Sequence, residues 1–127
     1  MDSSTRPLVT ANYDSDNVSV LLGLGDGTFL NQATYAVGDQ PRSVAVTDFG
    51  GDGHLDLVTA NYDSDSVSVL LGLGDGTFFP QATYTVGHGP CSVVAADLNG
   101  DEHQDIVNVN RGSKNVSVLL GLGDGTF

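Results

Sequence analysis

Gly-Leu-Gly-Asp-Gly-Thr-Phe occurs three times in this chain, at 23–29, 72–78 and 121–127, each copy 49 residues after the one before. A repeat this strict constrains the architecture more than any other feature. Each unit is one supersecondary motif that cannot bury its apolar surface alone, so neighbouring copies must stack. The chain, read as one segment over 1–127, divides into a partial unit, 1–29, and two full units, 30–78 and 79–127. Between 8–38 and 57–87 only four of 31 positions differ (Asn17/Ser66, Leu30/Phe79, Asn31/Pro80, Ala36/Thr85), the mark of a recent duplication or an engineered array. The third copy has drifted further: Asn110-Arg111-Gly112-Ser113-Lys114 stands where the second has Asn61-Tyr62-Asp63-Ser64-Asp65.

Within a unit every segment reads as strand or turn. Ser43-Val44-Ala45-Val46-Thr47 is a β-branched run. Leu57-Val58-Thr59-Ala60 is too apolar on both faces to lie against water. Tyr62-Asp63-Ser64-Asp65 has turn chemistry, and Ser66-Val67-Ser68-Val69-Leu70-Leu71 alternates before becoming continuously apolar. Asp75-Gly76 predicts a two-residue hairpin, with Thr77-Phe78 opening a fourth strand that reaches Tyr84-Thr85-Val86. Gly87-His88-Gly89-Pro90 breaks it. No stretch of ten residues has helical periodicity. Four short strands per unit of this length define a propeller blade, so the fold class is all-β, a β-propeller fragment of about 2.5–3 four-stranded blades. The first unit lacks an inner strand and the loop after it: residues 2–7 take that place, with Pro7 where the second unit has Asp56. The third unit lacks an outer strand. Such an arc leaves two apolar faces and unpaired strand edges, including Val116-Ser117-Val118-Leu119-Leu120. Propellers need about four to eight blades to close. The partner expected is therefore the chain itself, either as a dimer of three-blade arcs or as a head-to-tail ring in which 1–29 and 99–127 occupy equivalent stretches.

Between the first two strands of a unit lies an acidic loop, Asp48-Phe49-Gly50-Gly51-Asp52-Gly53-His54-Leu55-Asp56. It recurs as Asp97-Leu98-Asn99-Gly100-Asp101-Glu102-His103-Gln104-Asp105. Three carboxylates in nine residues, with a turn glycine at the sixth position, suit a hard cation with oxygen ligands and approach the first nine positions of an acidic calcium loop. The candidate ligands are Asp48, Asp52, Asp56 and the His54 carbonyl in one copy, and Asp97, Asn99, Asp101, Asp105 and the His103 carbonyl in the other, with Ca²⁺ as the ion. Each copy departs once: Gly50 offers no side chain at the third position, and Glu102 replaces the turn glycine, which costs on the order of 1 kcal/mol if φ is positive there. The alternative is two acidic hairpin turns without metal.

Lys and Arg number 4 against 16 Asp and Glu, a formal net charge of −12. That balance excludes nucleic acid and anionic membrane surfaces as partners and suits bound cations. Cys91 is alone, so no internal disulfide forms, and it reads as a small filler. No apolar run approaches the roughly 18 residues of a membrane span, and 1–7 lacks the apolar core of a signal peptide. Asp14, Asp16, Asp63 and Asp65 read as solvated hairpin tips or, alternatively, as a second ligand surface. Asp26, Asp75 and Asp124 precede glycine and are explained by turn geometry. Tyr13, Tyr35, Tyr62 and Tyr84 recur at the unit spacing, for packing or for stacking on sugars. No Ser/His/Asp grouping, phosphate loop, Cys cluster or basic stripe is present, and no catalytic residue is assigned.

Pro41, Ser43-Val44-Ala45-Val46, Asp48-Phe49, Gly51-Asp52-Gly53, Asp56-Leu57-Val58 and Ala60-Asn61, followed by Val67-Ser68-Val69-Leu70-Leu71-Gly72 and Gly74-Asp75-Gly76-Thr77-Phe78, resemble the FG-GAP/VCBS repeat, the family of the integrin α-subunit head and of many microbial surface proteins. The resemblance covers nearly the whole chain. It implies a β-propeller, usually seven-bladed, with calcium in the loop joining a blade's first two strands, and an extracellular or cell-surface setting. The function expected is a non-enzymatic, calcium-stabilised scaffold for binding, adhesion or assembly. The alternative is a propeller lectin with glycan sites between blades.

Overall fold

A computed structural model describes residues 7–127, so the replacement of the first acidic loop by residues 2–6 lies outside the described residues. The described chain holds ten strands and no helix: β1 (Pro7–Asn12), β2 (Asn17–Leu22), β3 (Ala33–Ala36), β4 (Pro41–Thr47), β5 (Asp56–Asn61), β6 (Ser66–Leu70), β7 (Ala82–Thr85), β8 (Pro90–Ala96), β9 (Asp105–Asn110) and β10 (Asn115–Leu119). They form three antiparallel sheets in strict chain order, β1-β2-β3, β4-β5-β6-β7 and β8-β9-β10. The strand content per unit is that expected: a sheet without its first strand, a complete four-stranded sheet, and a sheet without its last. The protein is all-β, a propeller fragment.

The middle sheet shows why the units must stack. β5 and β6 are buried at every position. Their register pairs Leu57 with Leu70 on one face, and Val58 with Val69 and Ala60 with Val67 on the other. Leu57 and Leu70 pack with Val18 and Val20 of β2 and with Val37, which follows β3 of the first sheet. The opposite face packs with Phe49, Val93 and Ile106. The two apolar clusters are therefore the two joints between sheets. A strand apolar on both sides has no surface to give to water.

Two turn expectations are corrected. The tip after β6 is three residues, not two: the Leu73 N–H donates to the Thr77 carbonyl (2.9 Å), and Gly74 and Gly76 both take positive φ (+87° and +91°). Two such positions need two glycines, which is why the motif reads Gly-Asp-Gly. The fourth strand also does not start at Thr77. Phe78 makes one isolated bridge to Gly72, and the regular strand begins only at Ala82. The first sheet breaks at the same place with Asn31 in the position of Pro80, so the proline is not the cause, and the Ser68 hydroxyl donates to the Gln81 side chain across the gap (2.6 Å).

Candidate metal centre

The acidic loops join β4 to β5 and β8 to β9. In the second loop, Asp97, Asp101 and Asp105 bring one carboxylate oxygen each to within 4.8 Å of one another. The Asn99 amide lies against the same group. With its nitrogen turned inward it donates to Asp97 Oδ1 (3.2 Å) and Asp101 Oδ1 (2.8 Å). With its oxygen turned inward, it adds a fourth oxygen beside those of Asp97 and Asp101. One side-chain rotation therefore converts a hydrogen-bonded cluster into an all-oxygen donor set, the chemistry a hard cation needs. The residues of this loop fit calcium.

The first loop shares the turn but not the cluster. Asp48 accepts from the N–H groups of Gly50 (3.1 Å), Gly51 (2.8 Å) and Gly53 (2.8 Å), as Asp97 accepts from those of Gly100 (2.9 Å) and Glu102 (2.9 Å). Gly50 contributes no side chain, and Asp48, Asp52 and Asp56 are not gathered as their counterparts are. The turn glycine itself behaves as expected: Gly53 has φ +81°, and Glu102, in its place, is held at φ +67°. Gly51 and Gly100 also take positive φ, at +67° and +76°, a requirement the acidic spacing did not reveal.

Asp56 and Asp105 do more than offer an oxygen. They are 1% and 0% exposed. Asp56 accepts from Phe49 N–H (2.8 Å) and from Gly72 N–H (2.7 Å). Asp105 repeats this with Leu98 (2.8 Å) and Gly121 (2.7 Å). Each buried carboxylate thus latches the acidic loop to the end of the third strand of its unit. A Cβ at Gly72 would collide with the Leu55 carbonyl, so only glycine allows the approach. Burial pushes the Asp56 carboxyl upward, the two amides oppose it, and the nearby charges of Asp52 and Asp48 add to it. Asp97 is held below its ordinary value, chiefly by the Glu102 N–H, and Asp52 likewise by the His54 N–H.

The His54 and His103 rings have a place the sequence did not suggest. Each Nδ1 lies 3.4 and 3.6 Å from the carboxylate of Asp52 and Asp101, respectively. Each Nε2 covers the glycine that opens the tip in its unit, Gly74 or Gly123.

The other acidic residues separate into three roles. Asp26, Asp75 and Asp124 each accept the N–H of the threonine two residues on, so turn geometry accounts for them. Asp16 and Asp65 are not merely solvated tips. Asp16 accepts from Gln40 N–H (2.9 Å), and Asp65 from Gly89 N–H (3.1 Å) and His88 Nδ1 (2.9 Å), so both tie one sheet to the next. Asp14 and Asp63 line an open acidic cleft with Asp39.

A further polar set went unread because it sits on strands. Asn61 donates to Ser66 (3.1 Å) and Ser68 (2.8 Å) and accepts from Thr59 (2.8 Å), all buried in the joint with the first sheet. Asn110 makes the same contacts with Asn115 and Ser117. Asn108, at the Thr59 position, leaves its Oδ1 without a partner among the described residues. The tyrosines are engaged as well: Tyr35 meets Phe78 edge-on (5.2 Å), Tyr84 meets Phe127 (5.5 Å), and the Arg42 guanidinium lies over Tyr62 (3.8 Å) and Tyr13 (5.2 Å).

A stacked array of short antiparallel sheets with an acidic loop after each first strand defines a repeat protein of the propeller class. Residues 8–59 and 48–108 match the sequence profile of the FG-GAP-like repeat, and the chain belongs to that family. Among solved structures it is similar to a protein of unknown function from Desulfotomaculum acetoxidans, with a TM-score of 0.64 at 16% identity over 94% of this chain. That likeness carries the fold alone, and this chain spans 40% of the length of that structure. No curated protein sequence matches it. No helix among the described residues is long and apolar enough to cross a membrane.

Proposed function

We propose that the chain is a non-enzymatic, calcium-stabilised propeller module that serves as a scaffold for binding, adhesion or assembly in an extracellular or cell-surface setting. The observation that carries this reading is the convergence of Asp97, Asp101, Asp105 and the Asn99 amide in the second loop. Two unit charges about 4 Å apart repel by about 1 kcal/mol in water and about 4 kcal/mol at the effective dielectric of a protein surface. Bound calcium neutralises that repulsion and fixes the hairpin that Asp105 already latches. Asp48, Asp52 and Asp56 are the corresponding, weaker set. The near-identical, short loops leave little room for a unique active site. The tyrosines that glycan stacking needs are engaged with Phe78, Phe127 and Arg42, so no observation favours the lectin alternative.

Extracellular calcium modules bind at about 10⁻⁴–10⁻³ M. At an excess of about ten- to a hundredfold over Kd, that stabilises by about 1.4–2.7 kcal/mol. For a domain of this size the melting temperature then rises by about 5–10 °C relative to chelator. Asp101→Ala is expected to remove most of the rise and Asp52→Ala a smaller part. A melt indifferent to calcium overturns the reading.

A further inference from the structure

Asn99-Gly100 is the single Asn-Gly pair in the chain; the first acidic loop has Gly50-Gly51 in its place. Both residues are exposed. In such a pair the backbone nitrogen of the second residue can reach the side-chain carbonyl carbon of the first and close a succinimide ring. Glycine favours the closure because no Cβ crowds the attacking nitrogen. Gly100 stands at φ +76°, and nothing lies within 4 Å of where its Cβ would be, so the backbone has room to swing.

The neighbouring carboxylates make this pair more than a sequence signal. Asp97 Oδ1 accepts the Gly100 N–H at 2.9 Å. With the Asn99 amide nitrogen turned inward, the same oxygen accepts from Asn99 Nδ2 at 3.2 Å. One carboxylate oxygen therefore touches both the nitrogen that attacks in ring closure and the nitrogen that leaves. Asp97 Oδ2 is anchored by the Glu102 N–H at 2.9 Å, which keeps Oδ1 aimed. Asp101 Oδ1 holds Asn99 Nδ2 from the other side at 2.8 Å. The contacts that assemble the empty loop thus set out a path for one proton, from the Gly100 nitrogen to the Asn99 amide.

We propose that Asn99 is a self-modification site, at which Asp97 relays a proton from the Gly100 nitrogen to Asn99 Nδ2 and the amide is lost as ammonia. The Gly100 nitrogen bonds to Asn99 Cγ with its own electron pair. Its proton passes through Asp97 Oδ1 to Nδ2, the Cγ–Nδ2 bond breaks, and ammonia departs with that bond's electrons. One water then opens the ring. Opening at Cγ restores the peptide and leaves an aspartate at position 99, a further carboxylate in the loop. Opening at the main-chain carbonyl routes the backbone through the side chain and lengthens the loop by one carbon. Either product carries one more negative charge. The reaction is independent of the calcium reading, whereas its suppression rests on it: an ion that takes oxygens from Asp97 and Asn99 turns Nδ2 outward and removes the relay.

The test is peptide mass spectrometry of the full chain, incubated warm at neutral pH with chelator or with CaCl₂. A synthetic peptide spanning 97–105 is the unfolded reference, with the same sequence and no fixed relay. The folded, chelated chain is expected to gain about 1 Da at position 99 at least as fast as the peptide. Asn99→Gln, whose longer side chain closes a larger ring, is expected to show no gain there over the same time. Slower gain in the folded chain than in the peptide overturns the proposal, as does equal gain at asparagines outside this loop. With CaCl₂ at about ten to a hundred times Kd, the gain is expected to slow by about ten- to a hundredfold, in step with the fraction of empty loops. Calorimetry on the same sample separates the two failures. Unslowed gain in a chain that binds calcium overturns the suppression, and unslowed gain in a chain that does not bind it overturns the calcium reading while the reaction stands.

Discussion

Asp105 accepts two backbone N–H groups from opposite sides of its unit while fully buried, and the role of the whole acidic loop turns on that geometry. An amide in its place presents hydrogens to one of those donors. Asp105→Asn is therefore expected to cost about 1–3 kcal/mol in urea unfolding, with calcium or with chelator. Asp101→Ala, on the exposed side of the same loop, is expected to reduce the calcium response while leaving the metal-free protein close to wild type. Asp65 supplies the pH dependence. Its carboxyl is held below the ordinary value, first by the His88 ring and then by the Gly89 N–H. A carboxylate depressed in the folded state adds stability above its unfolded value and loses it as pH falls through the folded one. Wild-type melting temperature is thus expected to fall from about pH 4 downward, in part through Asp65, and Asp65→Asn to flatten that slope in a thermal melt series.

The elements were largely legible because each face of a strand in a stacked array leaves a pattern. Leu57-Val58-Thr59-Ala60 reads as buried on both sides, and β5 is. The acidic spacing located the loops, and the near-identity of the first two copies located the sheets. What did not show was chemistry that runs between elements. Thr59, Asn61, Ser66 and Ser68 look like a solvent face by alternation, yet they satisfy one another inside a joint. Asp56 and Asp105 look like ligands alone, because a latch to Gly72 or Gly121 is a contact across 16 residues. The three-residue tip escaped because Asp75-Gly76 has its own hairpin preference, and nothing in the spacing shows that Gly74 takes positive φ as well. The strained turn gives a clean test at this scale. Glu102 sits at φ +67° where the first loop has Gly53, with open space around it. Glu102→Gly is expected to stabilise the metal-free chain by about 0.5–1 kcal/mol in urea unfolding, the relief of left-handed strain exceeding the added chain entropy.

At the scale of the whole molecule, sheets that cannot bury both faces alone stack in chain order, and the acidic loops between their first two strands carry much of a net charge of −12. In the proposed reading, calcium supplies the positive charge those loops lack. The most direct test of the central claim is calorimetric titration of chelator-treated protein with CaCl₂, comparing wild type with Asp101→Ala. The account predicts binding near 10⁻⁴–10⁻³ M, led by the second loop and largely lost in the variant. Absence of binding in the wild type up to about ten times that concentration, or unchanged binding in Asp101→Ala, would contradict it.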